Sequence, residues 1–119
     1  MKRHNFKKLQ IWNDSMELIN HTYLFTSTFP DFERFGLRTQ MNKCAVSIAS
    51  NISEGSSKRS DNHFIKYLED SLGSAFEWET QLIVAYNQQY ISEELFKKLE
   101  KDINTLQKKI TNFIDSLNK

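Results

Sequence analysis

The chain has very few of the residues that interrupt helices. Its 119 residues include three glycines and a single proline. Long segments without either residue are typical of an all-helical protein with short connections. A single cysteine has no partner for an intrachain disulfide, which fits the reducing cytoplasm. These scarcities predict one helical domain over residues 1–119, long enough to bury a hydrophobic core of its own.

Long apolar segments and a strong net charge are also missing. The sequence contains no run of 18 apolar residues, so we expect no membrane span. The segment from Met1 to Lys8 is basic but lacks the apolar stretch of a signal peptide. The formal net charge is +1, so the total charge gives no reason to expect nucleic-acid binding. We therefore expect a cytoplasmic protein whose partners depend on how its charges are distributed.

Apolar residues at helical spacing are abundant. The apolar face predicted for the first helix consists of Leu9, Trp12, Met16, Ile19 and Tyr23. The fourth helix has the cleanest pattern, a 3-4 repeat of Phe96, Leu99, Ile103, Leu106, Ile110, Phe113 and Leu117. A repeat of this kind is typical of a helix that packs along its whole length.

Helix ends are marked by proline, glycine and capping residues. Pro30 stops the first helix, and Gly55 is expected to follow the second as a left-handed residue. Ser60 or Asp61 caps the third helix, and Ser92 caps the fourth. The predicted helices cover about 9–28, 33–54, 61–87 and 93–118. Because short connections make consecutive helices antiparallel, we predict an all-α fold, an antiparallel up-down-up-down four-helix bundle.

A polar stripe runs along the second helix beside its apolar stripe. At about 100° per residue, five residues fall within roughly an 80° arc: Gln40, Lys43, Ser47, Asn51 and Glu54. Glu79 lies within the apolar arc of the third helix, where a carboxylate needs a partner. We expect these six residues to form a buried polar network that fixes helix register, with Lys43 as the counter-ion of Glu79. A functional carboxylate site is the alternative.

The third helix carries more apolar residues than one bundle core requires, covering roughly half of its circumference. We expect the surplus to form an interface between subunits of a homo-oligomer, and the contact residues we predict are Tyr67, Phe76 and Trp78. The alternative is that this helix is simply the most central of the four. Gly73 costs a helix about 1 kcal/mol relative to alanine, so we expect a neighbouring helix to pass close to it.

Motifs of metal, nucleotide and catalytic sites are absent. A di-iron bundle needs Glu three residues before His, whereas Leu18 precedes His21 and Ser60 precedes His63. The glycines are too far apart for a phosphate-binding loop. We expect a non-enzymatic protein with no metal, no cofactor, no catalytic residue and no small-molecule substrate. The enzyme alternative uses three carboxylates as acid–base groups, namely Glu54, Glu77 and Glu79.

Up-down topology gathers basic residues at the end of the bundle that holds the N-terminal segment, the second turn and the C-terminus. The residues predicted to bind nucleic acid there are Lys2, Arg3, Lys7, Lys8, Lys58, Arg59, Lys108 and Lys109, with Lys119 beyond them. The opposite end collects Asp31, Glu33, Glu93 and Glu94. In a ring of subunits the basic ends make one continuous face, for which we expect salt-dependent binding of structured RNA or an RNA-associated protein. A protein-interaction scaffold without a nucleic-acid role is the alternative.

Four segments carry a recognisable pattern. The most specific is Ser47-Ile48-x-x-Asn51-Ile52-x-Glu54-Gly55. The others are Phe29-Pro30-x-x-Glu33-x-x-Gly36-Leu37-x-x-Gln40, Phe64-x-x-Tyr67-Leu68 and Gly73-Ser74-x-x-Glu77-x-Glu79-Thr80-Gln81-Leu82. Together they resemble the four-helix bundle proteins of the 23S rRNA intervening-sequence family.

The resemblance implies an up-down bundle, a homo-oligomer in the form of a pentameric ring, and no catalytic residues. Similar bundles serve as accessory proteins of diversity-generating retroelements, where they bind nucleic acid and a reverse transcriptase. The chain departs from the family at Lys43, where an arginine is usual, and at Asp70 and Leu72, which reverse the usual apolar and basic character of their positions. It is also much less basic than the retroelement proteins.

Overall fold

The structure is a computed structural model that describes residues 3–118. Within them the chain forms four α-helices: α1, Gln10–Thr26; α2, Leu37–Ser56; α3, Asp61–Asn87; and α4, Glu93–Leu117. Short 3-10 turns at Phe6–Lys8 and Asp31–Glu33 precede α1 and α2, and no strand occurs in this range. The predicted all-α, up-down bundle is confirmed. None of the helices in residues 3–118 is long and apolar enough to cross a membrane.

Each helix packs mainly on the helices next to it in sequence. α2 lies between α1 and α3, and α4 packs on the other side of α3. The contact between α1 and α4 is much lighter, which leaves a shallow cleft on that side of the bundle. The helices run along the long axis of a particle that measures 48 × 24 × 20 Å.

The centre of the bundle is built around Trp78. Its side chain has no exposed surface, and its indole Nε1 donates a hydrogen bond to Oγ1 of Thr22 at 3.2 Å. The ring of Phe25 packs edge-on against it, with 6.2 Å between centroids. The prediction that Trp78 contacts another subunit is therefore wrong, because both its ring and its N–H are satisfied inside one protomer.

α1 turns a different face to the core from the one the apolar spacing predicted. Its buried residues are Ile11, Ser15, Leu18, Thr22, Phe25 and Thr26. The hydroxyls of Ser15 and Thr22 donate to backbone carbonyls four residues earlier, at 2.7 and 2.6 Å, so they are buried without unpaired donors. The predicted apolar face lies about a quarter turn away, on the flank beside α2. That flank stays partly open to solvent.

Gly55 lies inside α2, which continues to Ser56, and no glycine in residues 3–118 has a positive φ. A Cβ at Gly55 would lie 2.6 Å from Cβ of Tyr67 and 2.8 Å from Cδ1 of Phe64. The predicted left-handed role is wrong, since the glycine instead allows α3 to approach α2. In the described chain the non-glycine residue with positive φ is Gln89, at 65°, just after α3.

Capping explains where the helices begin. The Ser60 hydroxyl accepts from N–H of His63 at 3.2 Å, and the Ser92 hydroxyl accepts from N–H of Leu95 at 3.1 Å, as predicted. α2 begins later than predicted, at Leu37, because residues 31–33 form a separate 3-10 turn. The carboxylate of Glu33 accepts from the Leu37 N–H at 3.0 Å and holds that turn against the helix start.

Candidate nucleic-acid interface

The segment before α1 folds back onto one end of the bundle. Asn5 Oδ1 accepts from the Lys7 N–H at 3.2 Å, which caps the 3-10 turn. The Phe6 ring packs edge-on against Trp12 at 5.1 Å between centroids, and the His4 ring lies 5.0 Å from Phe64. These contacts fix the backbone that carries the first basic residues of the chain.

Arg3 joins this segment to the α2–α3 turn. Its Nε donates to the carbonyl of Ser57 at 2.7 Å, which places its guanidinium beside Lys58 and Arg59 in the same turn. Lys58 Nζ lies 5.0 Å from the centroid of the Tyr67 ring, a cation–π contact that orients the ammonium group without neutralising it. The structure therefore brings together three of the basic residues that the sequence predicted to share this end.

The remaining basic residues differ in how free their charges are. Five of them form no salt bridge with the residues 3–118, namely Lys7, Lys8, Lys58, Arg59 and Lys108. Lys109 instead donates to Asp14 Oδ2 at 2.9 Å, so its charge is already paired with a carboxylate of α1. His4 lies 3.8 Å from Asp61, which adds one acid to this end. Lys2 and Lys119 lie outside the described residues.

The opposite end of the bundle carries four of the acidic residues, Asp31, Glu33, Glu93 and Glu94. The Glu33 carboxylate is held there by a hydrogen bond. Tyr90 OH donates to Glu33 Oε2 at 2.8 Å. Desolvation and this hydrogen bond to a carboxylate both raise the pKa of the Tyr90 phenol. The predicted basic residues thus lie at the α2–α3 turn and the predicted acidic ones at the α1–α2 and α3–α4 connections, where Arg34 and Arg38 offset part of the negative charge.

The predicted polar network is divided between two sides of α3. Ser47 Oγ and Ser74 Oγ are 2.9 Å apart between α2 and α3, and Asn51 Nδ2 donates to the Ser47 carbonyl at 3.0 Å. Glu79 faces α4 instead, where Gln107 Nε2 donates to its Oε1 at 2.9 Å. The prediction that Lys43 is the counter-ion of Glu79 is wrong, because α2 packs on the other side of α3. The last three members of the set, Gln40, Lys43 and Glu54, are exposed.

Cys44 belongs to the same α2–α3 seam. Its Sγ donates to the carbonyl of Ser74 at 3.1 Å. Burial, followed by the nearby charge of Glu77, raises the pKa of the Cys44 thiol to about 12. The group is a protonated, inert thiol at neutral pH.

Two of the three carboxylates of the enzyme alternative lie on different sides of α3. Glu77 interacts with Cys44 on the α2 side of α3, whereas Glu79 pairs with Gln107 on the α4 side. Among residues 3–118, no three His, Cys, Asp or Glu side chains are placed to hold a metal ion together. The cleft between α1 and α4, about 270 Å³ in volume, is lined by side chains of both charges.

Two exposed phenylalanines at the acidic end were not predicted from the sequence. Phe32 and Phe35, in the α1–α2 connection, are 79% and 86% exposed. The Arg34 guanidinium lies 5.5 Å from the centroid of the Phe35 ring. Periodicity could not reveal them because they lie outside the helices, but two phenylalanines within four residues of a short connection are a usable signal.

These features define an all-α, up-down four-helix bundle with a basic end and an acidic end. A family model described as 23S rRNA-intervening sequence protein matches residues 7–112, and the chain belongs to that family. The family membership predicted from the motifs is thus confirmed, while the relation to retroelement accessory proteins stays a prediction.

One solved structure resembles the chain over most of its length. It is a protein with unknown function from the S23 ribosomal protein family of Bacteroides thetaiotaomicron, determined at 1.70 Å resolution. The TM-score is 0.81 at 23% sequence identity, with 88% of this chain and 95% of that chain covered. The similarity shows a shared fold. Comparison with curated proteins finds no match.

Proposed function

We propose that this protein is a non-enzymatic, cytoplasmic homo-oligomer that binds the phosphate backbone of structured RNA through its basic end. The observation that carries the proposal is the hydrogen bond from Arg3 to the Ser57 carbonyl. It gathers the guanidinium of Arg3, the ammonium of Lys58 and the exposed Arg59 at one turn. Phosphate oxygens are the natural ligand of such a cluster.

The chemistry of Arg3 suits this role. Its Nε is occupied by the backbone, so the terminal nitrogens of its guanidinium remain to form paired hydrogen bonds with a phosphate. Lys58 stays charged on the face of Tyr67, and Arg59 is exposed. None of these contacts reads a base, so we expect recognition of RNA shape and charge rather than of sequence.

Oligomerisation supplies what one copy lacks. A chain with a net charge of +1 has too little positive charge to hold RNA by attraction alone. Several copies side by side place their basic ends on one surface, and the number of phosphates that they contact increases in proportion. Binding through many phosphates weakens steeply with salt, since each contact releases counter-ions.

The test is RNA binding by the purified protein, sized by light scattering, to a structured ribosomal RNA fragment across a salt series. We expect micromolar or tighter affinity at low salt, abolished by Lys58→Glu combined with Arg59→Glu while the molar mass is unchanged. The matched control is Lys97→Glu with Lys101→Glu, an equal charge change on α4 outside the basic end. It should lower the affinity less than threefold. Equal losses in both variants would contradict the site, and no binding at low salt would contradict the function.

The exposed phenylalanines favour a second candidate, a protein-interaction scaffold. Phenylalanine and arginine are enriched at protein interfaces, and the Arg34–Phe35 contact lies in the same short connection as the exposed Phe32. A partner recovered from cells despite nuclease treatment and high salt, and lost on Phe32→Ser with Phe35→Ser, would support the scaffold over the RNA-binding protein.

A further inference from the structure

The cleft between α1 and α4 continues, beyond its charged part, into a second cavity of different character. This cavity has a volume of about 340 Å³. α1 lines it with His21, Leu24 and Phe25, and α4 lines it with Leu95, Lys98 and Leu99. We call it the apolar pocket. His21 and Lys98 also line the charged part, so the two cavities are the halves of one cleft.

The core of the bundle holds the apolar pocket open. Phe25 and Leu99 are buried residues of the core, and the ring of Phe25 packs edge-on against Trp78 on its other side. The Leu24 side chain, by contrast, is 70% exposed where it lines the pocket. Water therefore covers an apolar surface here, and the alkyl part of a ligand would gain free energy by displacing it.

The polar groups of the apolar pocket lie where it meets the charged part of the cleft. Lys98 Nζ donates to Asp102 Oδ2 at 2.8 Å, and an ammonium group has two further N–H donors. Among the described residues no carboxylate lines the apolar pocket, because the acidic residues of the cleft line the charged part alone. The charge that the apolar pocket offers to a ligand is therefore the positive charge of Lys98.

The size of the apolar pocket limits what it can hold. Its volume falls within the range of about 300–1,000 Å³ that is typical of small-molecule sites. Its α1 wall runs from Thr28 to His21, which is about 10 Å along the helix. A short linear chain fills such a space, and a charged group at one end of that chain would lie beside Lys98.

We propose that the apolar pocket binds a medium-chain carboxylate. The alkyl chain lies on Phe25 and Leu99, and the carboxylate accepts hydrogen bonds from the Lys98 ammonium and the His21 ring. The proposal goes beyond RNA binding and does not depend on it, because the pocket lies within one protomer and away from Arg3 and the α2–α3 turn. A charge-assisted hydrogen bond at one end of an apolar surface selects an anionic head group over a neutral one.

Three ligands with the same alkyl chain test the pocket: decanoate, decanol and decyltrimethylammonium. NMR titration of the full chain should shift the methyl signals of Leu24, Leu95 and Leu99, with a Kd for decanoate of about 1 mM or lower. Decanol should bind about fivefold more weakly, and the cation more weakly still. Lys98→Gln should weaken decanoate about fivefold and leave decanol unchanged. The matched control is Lys97→Gln, because Lys97 has its own acidic partner on α4 but does not line the pocket.

A second variant tests the position of the pocket. Leu24→Glu places a carboxylate on its exposed wall and should abolish decanoate binding while the thermal midpoint stays unchanged. Val84→Glu makes a similar change at an exposed position of α3 and should bind decanoate as the wild type does. No binding of decanoate, equal affinity for the three head groups, shifts spread over other faces of the bundle, or equal losses in Lys98→Gln and Lys97→Gln would each overturn the proposal. None of these results bears on RNA binding, which is measured separately.

Discussion

The indole Nε1 of Trp78 donates a hydrogen bond to the hydroxyl of Thr22, 3.2 Å away, across the middle of the bundle. Thr22 in turn donates to the Leu18 carbonyl at 2.6 Å. The first of these bonds connects α3 with α1, two helices whose backbones are not in direct contact, through the core of the bundle. Thr22 on the buried face of α1 therefore stabilises the core, because its hydroxyl accepts a hydrogen bond from the indole N–H, the one polar group of the largest core side chain.

Replacing that acceptor should destabilise the protein. In Thr22→Val the indole N–H remains buried without a partner, and we expect the free energy of unfolding to fall by about 1–3 kcal/mol. Urea unfolding at a fixed protein concentration measures the change. Thr80→Val removes an exposed hydroxyl from α3 and should stay within about 0.5 kcal/mol of the wild type. Equal losses would mean that the Trp78 bond adds nothing.

The two helical glycines form a natural pair for comparison. Gly55→Ala places a Cβ 2.6 Å from that of Tyr67, so we expect a loss of about 1–3 kcal/mol from overpacking despite the better helix propensity of alanine. Gly73→Ala meets open space, since nothing lies within 4 Å of its Cβ position and the predicted approach of a neighbouring helix is wrong, and it should gain about 0.5–1 kcal/mol. Urea unfolding of dilute protein gives both values. The same sign for both substitutions would contradict the packing of α2 on α3.

The pairing of Glu79 with Gln107 predicts which polar residue matters for stability. Gln107→Ala removes the donor to a half-buried carboxylate and should cost about 1–3 kcal/mol of unfolding free energy. Lys43→Ala should change it by less than about 0.5 kcal/mol, since Lys43 is exposed and far from that pair. Thermal unfolding of the two variants decides between them. A larger effect at Lys43 would restore the ion pair that the sequence suggested.

Cys44 gives a prediction about alkaline pH. Burial raises the pKa of its thiol from 9.0 to about 12, so the folded state keeps a proton that the unfolded state loses first. The corresponding stability is fully present below pH 9 and is lost progressively as the pH rises toward 12. Cys44→Ala should therefore lose less stability than the wild type between pH 9 and 11. Parallel pH curves for the two proteins would contradict the buried thiol.

Sequence patterns predicted α4 well and α1 poorly, for a physical reason. The seven-residue repeat of α4 works because Leu99, Ile103 and Ile110 are apolar where they are buried. In α1 the core face includes Ser15 and Thr22, whose hydroxyls bond to their own helix, while apolar residues lie on an exposed flank. A prediction based on hydrophobicity alone therefore identifies the wrong face of α1 as the buried one.

Part of the candidate site could likewise be predicted from the sequence, and part of it could not. Up-down topology was enough to predict that Arg3, Lys58 and Arg59 share one end of the bundle, because an even number of helices fixes where each connection lies. The pairing of Lys109 with Asp14 could not be predicted, since it depends on how α1 and α4 rotate about their axes. Rotation about the axis also decided that Trp78 points inward and Phe76 outward.

The packing of His4 against Phe113, at 6.0 Å between ring centroids, has a practical consequence for anyone who labels this protein. It puts the first and last described residues at the same pole, so a purification tag or fluorescent domain joined to either end emerges next to Arg3 and the α2–α3 turn. There it covers the very residues whose affinity for RNA is to be measured. A small label in the α3–α4 connection, at the exposed Gln88, reports from the far pole and leaves that surface clear.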